Sequence, residues 1–128
     1  MEPRVSTRMR FGIALLATIG MMAGPLAAQQ VTNAPGGILR ALDKTSGQTT
    51  DFEMRAGQAF RIGSLQIVMQ ECRYPAGNPS GNAYAGLEIS ENGKSGVLFS
   101  GWMIASAPAL SALEHQRYDV WVIRCTTS

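Results

Sequence analysis

From residue 38 to the end of the chain, glycine- and asparagine-bearing turns recur so closely that only short extended segments fit between them. Residues 38–44 run into Thr45-Ser46-Gly47 and are followed by 48–54, the layout of a hairpin in which Gly47 supplies a positive-φ turn position. Ala56-Gly57 precedes a short segment at 58–62, and Gly63-Ser64 leads into 65–72. The stretch 74–82 holds Pro75, Gly77, Asn78, Pro79, Ser80 and Gly81, too rich in breakers to pair regularly, and is expected as the longest loop. A strand at 84–91 meets the Asn92-Gly93 turn, the strongest short hairpin signal. Residues 97–104 are almost continuously apolar and read as a central strand.

Periodicity fixes faces within these segments. Leu65, Ile67 and Met69 alternate with Gln66, Val68 and Gln70, the mark of a half-buried strand. Cys72 falls on the opposite parity, so either a bulge follows Met69 or the strand has ended there; the bulge is the favoured reading. In the closing strand, 117–125, Trp121, Ile123 and Cys125 share one face, and Tyr118, Val120 and Val122 the other. One helix is predicted at 106–115, with Ser106 as N-cap, Pro108 in the first turn and Leu110 with Leu113 as its apolar edge. The class expected is mainly β, a small antiparallel β-sandwich or barrel with one short helix.

The N-terminus carries a different pattern. Arg4, Arg8 and Arg10 precede an uncharged, mostly apolar run from Phe11 to Ala23, broken by Gly24-Pro25 before Leu26-Ala27-Ala28. This is the layout of a secretory signal, expected as a helix over 1–28 with cleavage after Ala28. A spanning helix wants roughly 20 apolar residues, more than this run offers, so no membrane insertion is expected after cleavage. The domain plan is a signal at 1–28, a flexible leader at 29–37 and a single β-rich domain at 38–128.

Removal of that signal changes the electrostatics. The chain has 11 basic and 9 acidic residues. Arg4, Arg8, Arg10 and Glu2 leave with the signal, so the remainder has 8 of each and no net charge. The surviving cations are scattered, which argues against nucleic acid as a partner, because phosphate neutralisation needs a basic patch.

Cys72 and Cys125 both lie in the exported part. Outside the cytosol such a pair forms a disulfide. A bridge closing a loop of about 50 residues would contribute about 4 kcal/mol on the chain-entropy model. The spacing is unlike the C-x-x-C of redox pairs. It reads as a structural staple.

Groups able to carry chemistry are few. His115 is the one histidine; a hydrolase would need it with Ser106 or Ser100 as nucleophile and Asp119 as orienting acid. Ser100-Gly101 lacks the glycine that precedes the serine of a nucleophile elbow. Met54, Met69 and Met103 with His115 could form a soft copper site, though methionines in strands are better explained by core packing. No calcium-loop or phosphate-cradle motif occurs, and neither a cofactor nor a metal is implied. Among the aromatics, Trp102, Trp121, Tyr118, Tyr84, Tyr74 and Phe99 are most simply core and sheet-surface packing; Tyr74 and Tyr84, if exposed on either side of the long loop, would make a contact patch for a protein or glycan.

The run from Phe99 through Gly101-Trp102-Met103, Pro108, Leu110 and Leu113-Glu114-His115 to Tyr118-Asp119-Val120-Trp121-Val122 and Cys125 is dense and specific. It resembles the signature of an alphaproteobacterial family of small exported proteins called domain of unknown function 2155. Leu42-Asp43-Lys44 with Gly47, and the segment 63–72, fit the same pattern, while Ala107 stands where a serine is expected. The resemblance implies a periplasmic protein paired through Cys72 and Cys125, with no activity attached. The expectation is an exported, non-catalytic module that binds an envelope partner such as a protein, peptidoglycan or glycan, with the small hydrolase or the copper carrier as alternatives. Candidate binding residues are Tyr74, Tyr84, Trp102 and His115. The segment 99–115 is a binding face or core, and oligomeric state is left open.

Overall fold

The computed structural model describes residues 30–128, so the expected signal over 1–28 lies outside the described residues. Among the described residues eight strands follow one another: β1 (Val31–Ala34), β2 (Gly36–Asp43), β3 (Thr49–Arg55), β4 (Ala59–Ile62), β5 (Leu65–Pro75), β6 (Tyr84–Glu91), β7 (Phe99–Ile104) and β8 (Tyr118–Thr126). The β2–β3 and β6–β7 connections turn through Gly47 and Gly93, whose φ values of 78° and 82° favour glycine. All pairings are antiparallel.

The strands make two sheets. One has the order β3-β2-β8; in the other, β5, β6 and β7 are consecutive, and β1 and β4 share the far side of β5. β5 can hold both because it is 11 residues long. β4 pairs with Leu65–Val68, and β1 with Cys72–Pro75. Among the described residues neither sheet closes on itself, which removes the barrel alternative. The inward faces of both sheets contribute to one core, in which Leu39, Met54, Leu65, Ile67, Met69, Leu87, Ile89, Met103, Val120 and Val122 are fully buried.

The disulfide is formed, joining β5 to β8 across this core with a Cα–Cα distance of 5.7 Å. Both cysteines reach the interior through bulges. On β5 the register slips between Met69 and Glu71, so Cys72 follows Met69 inward, as the favoured reading had it. A second slip between Ile38 and Leu39 of β2 takes up one extra residue of β8. Cys125 therefore joins Val120 and Val122 on the inner face, not Trp121 and Ile123 as simple alternation suggested.

Three further expectations give way. The leader at 29–37 is replaced by β1 and the start of β2, with Ala34 buried opposite Cys72. The helix at 106–115 shrinks to one 3-10 turn at Pro108–Leu110. Only Leu113 of its apolar pair finds the core, whereas Leu110 is 75% exposed, so no helical face is docked and so short a helix does not persist. Ser106 caps nothing, since its backbone N–H and hydroxyl are held by the Asn82 amide. Finally, the apolar stretch expected as a central strand is β7, an edge strand that among the described residues pairs only with β6. No helix among the described residues is long and apolar enough to cross a membrane.

Candidate functional site

The connector from β7 to β8 ends in a clasp built around His115. Its Nδ1 accepts the backbone N–H groups of Arg117 (3.0 Å) and Tyr118 (3.1 Å). That fixes the tautomer: the proton sits on Nε2, which donates to Glu91 Oε2 at 3.0 Å. Ser64 Oγ donates to the same oxygen at 2.8 Å. These donors hold the Glu91 carboxyl at about 2, the His115 bond being the larger cause and the Ser64 bond the next. Around the ring, Lys44 Nζ donates to the His115 carbonyl and Arg117 pairs with Asp43, whose carboxyl is lowered chiefly by that bond. The clasp ties the end of β2 and the end of β6 to the connector.

This arrangement differs from a catalytic triad in its wiring. The serine donates to the carboxylate, and neither imidazole nitrogen is left to take a proton from a hydroxyl. Ser106 is engaged with Asn82, Ser100 faces outward opposite Glu88, and Asp119 lies opposite Leu42 on the other sheet. The structure does not bring the sequence-predicted hydrolase residues together. Met54, Met69 and Met103 are buried among leucines and isoleucines of the core, and His115 is engaged as described. Among the described residues no group of three or more His, Cys, Asp or Glu could hold a metal ion.

A second cluster lies on the outward face of the five-stranded sheet. The β6–β7 register sets Tyr84 opposite Ile104 and Gly86 opposite Trp102, and the β5–β6 register sets Arg73 opposite Tyr84 and Glu71 opposite Gly86. With no side chain at Gly86, the Trp102 indole leans back across β6; a Cβ added there would lie 3.5 Å from the ring. The Arg73 guanidinium stands 4.9 Å from the ring centroid and is held by Glu71 at 2.7 Å. Val31, Arg73, Tyr84, Trp102 and Ile104 line one open groove, and Trp102 remains 40% exposed.

Of the four candidate binding residues, Tyr84 and Trp102 come together here. Tyr74 takes the inward parity and packs against the core, so the two tyrosines do not form one patch. His115 sits in the clasp. Arg73, Glu71, Val31 and Ile104 were missed; Arg73 could have been found by carrying the bulge at Met69 onward, which puts it on the face opposite Cys72.

The family described as "Uncharacterized protein conserved in bacteria (DUF2155)" matches residues 37–125. That span covers both bulged strands, the disulfide, the clasp and most of the groove. The chain belongs to this family. An uncharacterised protein of Rickettsia prowazekii (strain Madrid E) is 26% identical over 96 residues, 73% of this chain. The chain spans about 62% of that relative's length. No solved structure matches. For this DUF2155 member, the disulfide points to an oxidising, extracytoplasmic environment.

Proposed function

We propose that this protein is a periplasmic, non-catalytic binding module, released by cleavage after Ala28, which docks an envelope protein on the outward face of its five-stranded sheet. The observation that carries the reading is the groove of Val31, Arg73, Tyr84, Trp102 and Ile104. Tryptophan, tyrosine and arginine are the residue types that dominate protein-binding hot spots, and apolar neighbours supply the water-excluding rim. The guanidinium is already oriented by Glu71 and stacked by Trp102, so little side-chain entropy is left to lose on docking. A protein is favoured over a glycan because the indole already carries Arg73 beside it.

Photo-crosslinking in the envelope tests this reading. A crosslinker at Tyr84 or Ile104 should give one discrete adduct that disappears in an Arg73→Ala background, while the same group at Tyr74 should give none. Absence of any adduct from both groove positions overturns the reading.

A further inference from the structure

Sheet edges expose unpaired backbone, and proteins guard them with charge, proline, bulges or brevity. Three of the edges here follow that rule. β3 carries Asp51, Glu53 and Arg55, β8 carries Asp119 and Arg124, and β1 and β4 are four residues each. β7 does not. It has no charged residue, no proline and an unbroken register with β6. The charge-free stretch extends from Ser95 to Leu113, and Val97 (51%), Leu98 (39%) and Trp102 (40%) are exposed along it.

The backbone of this edge can be read from its pairing. Ala105 N–H donates to Ala83 O at 2.9 Å, so by alternation Met103 and Gly101 exchange bonds with Ala85 and Leu87. The N–H and C=O groups of Ser100 and Trp102 then point away from β6, to the open side. The Trp102 side chain does not cover them, because the indole leans the other way, over Gly86.

The same edge is complementary to itself. In an antiparallel pair of two β7 strands with the two-fold axis at Gly101, Ser100 of each copy lies opposite Trp102 of the other. That is the hydrogen-bonded type of pair, so the four outward groups of each copy are satisfied in one register. The bulkiest side chain of the strand meets one of its smallest, and glycine meets glycine on the axis, where two strands approach most closely. A contact of this kind is isologous and closes at two subunits. We propose that β7 is a self-association edge, and that its occupant is a second copy of this chain paired antiparallel about Gly101. The two five-stranded sheets then become one continuous sheet with both Trp102 grooves on the same face.

The mass of the purified, oxidised mature protein, measured by light scattering over a wide concentration range, is the primary test. Twice the chain mass is expected, falling to a single chain only on strong dilution. Ser100→Pro removes an N–H that β6 does not use, and should raise the dissociation constant by about tenfold or more. Gly101→Cys, whose Cβ would meet nothing closer than the Phe99 ring at 3.8 Å, should give a disulfide-linked dimer in air. Thr49→Cys on the charged edge should not. A monomer at every concentration overturns the proposal, as would equal crosslinking from positions 49 and 101. Dimerisation leaves the proposed partner untouched: an in-cell adduct with the mass of two chains reports the edge, and one of another mass that disappears with Arg73→Ala reports the groove.

Discussion

The His115 clasp and the Trp102 groove both join distant parts of the chain, but they treat their polar groups in opposite ways. At His115 each ring nitrogen, the Glu91 oxygen it meets, and the backbone carbonyl above it have partners inside the protein. At Trp102 the ring is packed on one side and open to solvent on the other, and the guanidinium beside it is held but not covered. The first is a site satisfied internally, and the second has binding capacity left over. A lone histidine drew notice in the sequence as potential chemistry; in the fold it closes a connector. Side-chain identity alone could not separate the two, because the difference lies in how many partners each group already has.

Substitutions should separate them in the same sense. The largest effect is expected from His115→Ala, which strips the acceptor from two backbone N–H groups and the donor from Glu91. Leaving these unpaired should destabilise by about 2 kcal/mol, a fall of roughly 10 °C in Tm for a domain of this size. Groove crosslinking at Ile104 should persist at temperatures where the variant stays folded. A His115→Ala protein as stable as wild type would break the comparison.

A smaller, pH-confined effect is expected at Glu91. Its carboxyl lies at about 2 in the folded protein against an ordinary 4.5. A depressed carboxyl stabilises fully above its unfolded value, and that contribution disappears as pH falls through the folded one. The urea midpoint of wild type should therefore drop between about pH 4.5 and pH 2 more steeply than that of Glu91→Gln. Parallel curves would show that the His115 and Ser64 bonds do not favour the ionised form.

How far the sequence could carry this picture depended on register. Turn residues and alternation placed seven of the eight strands, and the parity of Cys72 already signalled its bulge. The bulge in β8 left no such mark, because Trp121 and Ile123 are apolar on the outer face and make Cys125 look continuous with them. β1 was hidden by Asn33, Pro35 and Gly36, which suit a leader; it is held instead by backbone bonds to β5, a long-range contact with no local pattern. The groove was half legible for the same reason. Tyr84 and Trp102 are conspicuous, but that they share a face, and that Arg73 stands over one of them, follows only from how β5, β6 and β7 align.

The smallest stability change, and the sharpest contrast, is expected at Trp102 itself. Trp102→Ala removes a ring that is 40% exposed and lies over Gly86 on the outward face of the sheet, so the loss should be about 1 kcal/mol or less. If the groove is the docking face, the adduct from Ile104 should nonetheless vanish, since truncating a central aromatic anchor removes a large share of the binding energy. A variant that keeps its Tm and loses its adduct places the ring's contribution in binding. One that loses several kcal/mol instead would show that Trp102, like His115, is held for the fold.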